Sequence, residues 1–455
     1  MNEFKNIRQV YFLGIGGIGM SALARWFAHA GFQVSGYDRT KTNLTEELEE
    51  EGMSIHYEDF GERIGLQLKR DETLIVYTPA VPSEMGEFQF LGKNGFLLKK
   101  RSEVLGMICK GFKTCAVAGT HGKTTVSTML AHIFKTSALD CTAFLGGISK
   151  NYRNNLLLSA TSDYVVVEAD EFDRSFLRLF PDFAVITSMD ADHLDIYGDH
   201  NSVKEAFNEF AGQIRTNGKL VAKKGLPVSK EHFSYSLNEQ ADFYAANIEL
   251  KDEAYHFDLV WPEGIISDVV INYPGLLNVE NAVAASSLAL LAGINTVDIK
   301  KALASYQGVV RRFDIRYRSD NYLLIDDYAH HPQELKATIS SVRAMFTERH
   351  ITGIFQPHLY SRTNDFADDF AEQLSMLDEV ILLDIYPARE EPIPGVSSSL
   401  ILNKIKGKHK RLVSKEELLR MIPDIPQGVI LMMGAGDIDR LVVPVGEILK
   451  KTDNA

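Results

Sequence analysis

The stretch Thr114-Cys115-Ala116-Val117-Ala118-Gly119-Thr120-His121-Gly122-Lys123-Thr124-Thr125 decides the fold. A short apolar run enters a glycine-rich turn, and the residues beyond it read as a helix. A Gly-Lys-Thr ending in that position marks a phosphate-binding loop. Backbone amides and the helix N-terminus cradle phosphate oxygens, Lys123 reaches the terminal ones, and the Thr124 hydroxyl coordinates Mg²⁺. The strict GxxxxGK[ST] spacing is not met, because Val117 stands five residues before Gly122. The loop is a shorter GTxGKT variant, and residues 118–125 are the candidate ATP site.

Outward from this loop, apolar runs of four to six residues alternate with amphipathic segments, the pattern of βαβ units in a parallel sheet. Strand-like runs are Val10–Leu13, Phe32–Tyr37 and Thr73–Thr78, with a helical stretch at Ser21–Ala30. Short strand-like pieces between Gly218 and Tyr273 suggest an antiparallel excursion. A last alternating block opens near Phe313 and runs through Leu323–Asp327, Thr352–Gln356, Val380–Tyr386 and Val429–Met433. At ~150 residues per domain, a chain of 455 residues suggests three. The expected boundaries give three α/β domains, Rossmann-like over 1–106, phosphate-loop ATPase-like over 107–312 and Rossmann-like over 313–455.

A second glycine cluster, Gly14-Ile15-Gly16-Gly17-Ile18-Gly19, sits between a strand and a helix, with Asp38 at the end of the next strand. This spacing suits a dinucleotide or another nucleotide diphosphate, with Asp38 on a ribose hydroxyl. A plain glycine-rich turn with a solvated acid is the alternative. The run Tyr164–Val167 ends in Glu168-Ala169-Asp170-Glu171, where Glu168 is placed to hold Mg²⁺. Phe183–Ser188 ends in Met189-Asp190-Ala191-Asp192-His193, and His193 could complete a second metal shell. In the last block, Asp326-Asp327-Tyr328-Ala329-His330-His331-Pro332 and Gln356-Pro357-His358-Leu359-Tyr360-Ser361-Arg362 each follow a strand. They could bring together a base, an aromatic and a carboxylate-binding arginine, or simply hold buried His–Asp hydrogen bonds.

Composition narrows the classes. Hydrophobic residues make up 45% and charged residues 24%, an ordinary globular mixture. With 48 Lys plus Arg against 61 Asp plus Glu, the formal charge is −13, which disfavours nucleic-acid and anionic-membrane partners. Three cysteines without a CxxC pair point to buried thiols in a reducing compartment. With no apolar leader and no 18-residue apolar run, a cytoplasmic protein without membrane insertion is expected.

Taken together, GIGGIGMS (14–21), AGTHGKTT (118–125), EADE (168–171), DADHLD (190–195), RRFD (311–314), DDYAHHP (326–332), QPHLYSRT (356–363) and GAGDI (434–438) resemble the Mur ligases. These are ATP-dependent, amide-forming enzymes of peptidoglycan precursor synthesis. The resemblance implies that L-alanine is joined to UDP-N-acetylmuramate through an acyl phosphate, with ATP and Mg²⁺. It further implies that the first domain binds the UDP part of the substrate through Gly14, Gly16, Gly17, Ile18, Gly19 and Met20, with Asp38 nearby. MgATP would sit at 118–125 with Lys123 catalytic and Thr124, Glu168 and His193 on the metal. Asn278, Asn281, Arg312 and Asp327 would lie near the nucleotide. Tyr328, His330 and Arg362 would meet the amino acid, with His330 the candidate base.

Three positions depart from the family pattern. Leu277 stands where a histidine is common, Phe207 and Asn208 stand where some relatives carry a carbamylated lysine, and Leu359 stands where some alanine-adding relatives have an arginine. Within the family the rival is a ligase that attaches a whole tripeptide. From other classes the rivals are an NAD-dependent dehydrogenase with an accessory ATPase domain and a non-catalytic nucleotide-binding regulator. Oligomeric state is left open.

Overall fold

Val10, Tyr11, Phe12 and Leu13 are all buried, which places their strand inside a sheet covered on both faces. A computed structural model describes residues 2–190, 197, 199–388, 390–407 and 409–453 of the chain. In it, Gln9–Leu13 is the central strand of an all-parallel sheet ordered Ser54–His56, Gln33–Tyr37, Gln9–Leu13, Thr73–Tyr77, Leu97–Lys100. The strand order reverses at Gln9–Leu13, so the crevice at its carboxyl end is a topological switch point. The helix that follows runs Ile18–His29, three residues earlier than its apolar pattern suggested.

The phosphate-loop strand Lys113–Ala118 is central to a second sheet of ten strands, between Phe183–Ile186 and Tyr164–Ala169, both parallel to it. The helix after the loop, Lys123–Thr136, has every residue from Thr124 to Phe134 buried. The antiparallel excursion starts later than expected, at Phe243–Lys251, which neighbours Ala254–Trp261 in the sheet across the two-residue link Asp252-Glu253. Lys219–Lys223, Phe233–Ser236 and Phe243–Lys251 pair in parallel, while Ala254–Trp261 and Gly264–Ile271 form an antiparallel hairpin. The early strands are short, so connections of a few residues carry the chain back to the starting end. The two-residue link Pro262-Glu263 permits only the hairpin.

A third sheet is ordered Asp314–Arg318, Tyr322–Asp327, Gly428–Met433, His350–Phe355, Glu379–Leu382, Lys410–Leu412. Only the edge strand Asp314–Arg318 is antiparallel. By backbone packing the chain forms two compact units. One comprises residues 1–250, 255–272 and 279–307 with the first two sheets; the other comprises 251–254, 273–278 and 308–455 with the third. Cys109, Cys115 and Cys141 are buried free thiols. No helix among the described residues is long and apolar enough to cross a membrane.

Candidate active site

The phosphate loop is held by backbone that tolerates no side chain. Gly119 has φ +139°, and a Cβ there would fall 2.0 Å from Thr187 Oγ1. Gly122 caps the helix in the left-handed region, φ +80°, with Asn281 Oδ1 only 3.1 Å from where its Cβ would lie. The end of strand Phe183–Ile186 braces the loop. Ser188 Oγ accepts from the His121 amide at 2.8 Å, and Thr120 Oγ1 accepts from the Asp190 amide at 3.1 Å. His121 Nε2 lies 3.6 Å from Asp190 Oδ2. Thr124 and Thr125 are buried in the first turn of the helix.

Lys123 is folded back onto its own loop. Its Nζ donates to Gly119 O at 2.7 Å and to both Glu171 oxygens at 2.7 and 3.0 Å. Burial alone would lower its pKa; the carboxylates of Glu171, Asp170 and Glu168 more than reverse this and hold the ammonium charged. Glu171 is almost fully enclosed, and Tyr197 OH donates to its carbonyl at 2.6 Å. The motif EADE drew attention to Glu168 and left Glu171 without a role. Its position as the last acid of the strand end, three residues after Glu168, was the available signal.

Glu168 ends the strand Tyr164–Ala169 beside Gly146, where a Cβ would lie 2.2 Å from its Oε2. A carboxylate and the Thr124 hydroxyl are hard oxygen donors, a set that suits Mg²⁺, which takes few protein ligands and completes its shell with water and phosphate oxygens. Among the described residues no cluster of three or more His, Cys, Asp or Glu side chains could hold a metal by itself. His193, expected on the second metal, lies outside the described residues.

At the first glycine turn, Gly14 takes φ +85° and Gly16 N donates to Asp38 Oδ2 at 2.8 Å. The other Asp38 oxygen accepts from Thr40 N at 3.1 Å, so the acid expected on a ribose braces the turn. Ile18, Gly19 and Met20 open the helix. Arg101, which the motifs did not indicate, packs its guanidinium against Gly19 and donates to Asp170 Oδ2 at 3.3 Å.

In the other compact unit, the end of strand Tyr322–Asp327 gathers several expected residues. Asp327 is buried and accepts from the amides of Phe313 and Ala329, both at 2.8 Å, so its carboxylate shapes the turn. Tyr328 is flanked by the guanidinium groups of Arg311 and Arg312, 5.0 and 4.9 Å from its ring centre. Arg312 also reaches Glu334 at 3.5 Å. His330 Nδ1 lies 2.9 Å from Tyr328 O; a carbonyl only accepts, so Nδ1 carries the proton and Nε2 the lone pair. Burial pushes the His330 pKa down to about 4, with Arg362 and Arg312 adding to the shift against the opposing pull of Glu334. The ring is therefore neutral at pH 7. His358, missed as a site residue, stands edge-on to His330 at 5.8 Å and stacks on Tyr386. Leu359, with φ +71°, starts the short helix Tyr360–Asp365 that carries the buried Arg362. Asn278 donates to Pro274 O.

Three family models match the chain in order: "Mur ligase family, catalytic domain" over 9–113, "Mur ligase middle domain" over 117–289 and "Mur ligase, glutamate ligase domain" over 311–436. The chain is 54% identical to the UDP-N-acetylmuramate–L-alanine ligase of Parabacteroides distasonis, covering 99% of both chains. It is 48% identical to that of Christiangramia forsetii, again covering 99% of both. Among solved structures, the UDP-N-acetylmuramate-alanine ligase of Thermotoga maritima superposes with a TM-score of 0.83 at 26% identity, covering 98% of this chain and 99% of that one. A murein peptide ligase from Psychrobacter arcticus shares the fold, with a TM-score of 0.70 at 21% identity over 96% of this chain and 99% of that one. Likeness of this extent along the whole length makes the chain a member of the Mur ligase family.

Proposed function

We propose that this protein joins L-alanine to UDP-N-acetylmuramate at the expense of ATP, in peptidoglycan precursor synthesis. The observation that carries the reading is the unbroken likeness to alanine-adding relatives, at about half of all positions and from end to end. The geometry of the phosphate loop supports it, with a charged lysine at the head of a buried helix beside an acidic strand end. The division of labour assigns the nucleotide sugar to 1–106, ATP to 107–312 and the amino acid to 313–455. The reaction is placed in the cytoplasm.

In this reading the lactate carboxylate attacks the γ-phosphorus of ATP, forming an acyl phosphate and releasing ADP. Lys123 exchanges Glu171 and the Gly119 carbonyl for phosphate oxygens, and the amides of the loop receive the rest of the chain of phosphates. Magnesium, held by Thr124, Glu168 and His193, would neutralise charge on the transferring group when bound with ATP. The amine of L-alanine then attacks the acyl carbon and phosphate leaves. His330, neutral with its Nε2 lone pair available, takes the amine proton, and Arg362 holds the α-carboxylate with its planar fork.

The test is reconstitution. The protein is incubated with MgATP and UDP-N-acetylmuramate, amino acids or the murein tripeptide are added singly, and phosphate release and product mass are followed. Alanine-dependent phosphate release with a product heavier by one alanyl residue is the expected result. Turnover only with the tripeptide assigns the chain to the recycling branch of the family.

A further inference from the structure

The helix that carries Arg362, Tyr360–Asp365, has only six residues. That is far below the ~12 at which an isolated helix begins to hold in water, so contacts from elsewhere in the fold must set its direction. Its first-turn amides have no partner inside the helix, and the apolar side chain of Leu359, at the capping position, accepts nothing. Leu359 also takes φ +71°, a left-handed backbone that a bulky residue keeps only where its surroundings impose it.

Those surroundings come from one segment, just beyond the strand Glu379–Leu382. Leu359 N donates to Tyr386 O at 3.0 Å and Tyr386 N donates to Pro357 O at 2.9 Å, which pins the chain on either side of His358. Glu390 then supplies the missing cap. Its Oε2 accepts from the Ser361 amide at 3.0 Å, and its Oε1 accepts from the Ser361 hydroxyl. Both carboxylate oxygens are thus spent on the residue next to Arg362. The Glu390 amide donates to Pro387 O at 2.9 Å, a local turn that brings the side chain back to the helix. A negative group on the first turn also complements the positive end of the helix dipole. Arg362 and Thr363, which follow, are buried, so a first turn that rolled or frayed would carry the guanidinium with it.

We propose that Glu390 is a positioning residue for Arg362: through Ser361 it fixes the first turn of the helix and so aims the guanidinium at the α-carboxylate of L-alanine. This inference rests on the reading of Arg362 as the carboxylate anchor. A planar fork making two parallel hydrogen bonds tolerates little misalignment, and a misplacement of about 1 Å can cost a site about 100-fold.

Steady-state kinetics of the full chain with Glu390→Ala, Arg362→Lys and the double variant test it. Glu390→Ala should raise the apparent KM for L-alanine about 10-fold and leave those for ATP and UDP-N-acetylmuramate within about two-fold. In the Arg362→Lys background there is no fork left to aim, so adding Glu390→Ala should raise the alanine KM by less than about two-fold more. A residue acting only on the fold would not show that coupling. Glu390→Gln, which keeps the shape and an acceptor but not the charge, should raise the alanine KM about three-fold, masked in the same way, and serves if the alanine variant does not fold. An alanine KM left unchanged overturns the proposal, as do equal rises for all three substrates or additive losses in the double variant. If Arg362→Lys leaves the alanine KM untouched, the reading of Arg362 fails and the proposal falls with it.

Discussion

Two glycine-rich turns in this protein follow parallel strands and open helices, yet they handle charge in opposite ways. The turn at 118–125 carries its cation within the motif, and the fold supplies a counter-ion, Glu171, 2.7 Å from Lys123. The turn at 14–19 carries no charge, and the fold supplies both an acid, Asp38, and a cation, Arg101. A short motif announces a site when the reactive charge lies inside it. When the charge comes from another element, the motif reads only as a turn with several possible ligands.

The strongest way to break this contrast is Lys123→Ala. If the in-loop cation serves the transferring phosphoryl group, turnover should fall about 10²–10³-fold with the fold intact by circular dichroism. Near wild-type turnover would remove the functional distinction between the two turns.

A pH profile extends the comparison to the third sheet, where the site is built from a neutral group. With its pKa pushed down to about 4, His330 stays in its base form throughout the neutral range. The rate at limiting L-alanine should show no acid limb near the ordinary histidine value of about 6.5 between pH 5.5 and 7.5. A limb there that disappears in His330→Gln would show that burial does not depress this ring.

Glu171→Gln probes the counter-ion. Without its carboxylate the lysine ammonium keeps only carbonyl acceptors, so the nucleotide-free protein should lose about 1–3 kcal/mol of stability. Saturating MgATP should narrow the gap in Tm between variant and wild type, because phosphate oxygens take the place of the carboxylate. A gap that ATP leaves unchanged would make Glu171 a structural residue without a part in nucleotide binding.

The smallest effect is expected at Gly17. Its φ is −65° and a Cβ would meet nothing nearer than 3.6 Å, so Gly17→Ala should alter UDP affinity and Tm little. At Gly119 the same change would place a methyl 2.0 Å from Thr187 Oγ1. A large loss at Gly17 would mean that the ligand packs directly against its backbone.

The sequence by itself determined the alternation of strands and helices, both glycine turns, the lysine, and the strand-end acids. Each of these is local: a buried parallel strand must be apolar throughout, as Val10–Leu13 and Val165–Val167 are, and a phosphate loop must spell its glycines and lysine in a row. The antiparallel excursion was legible where the two-residue links Asp252-Glu253 and Pro262-Glu263 leave one way to pair neighbouring strands. Tertiary structure alone decided which charge meets which. It sent Asp38 to the Gly16 amide, turned Asp327 inward as a brace, paired Lys123 with Glu171, and carried Arg101 across 82 residues of chain to Gly19. A hydrogen bond or an ion pair depends on distances of a few ångströms between residues far apart in sequence. Local patterning of apolar and glycine residues holds no record of those distances.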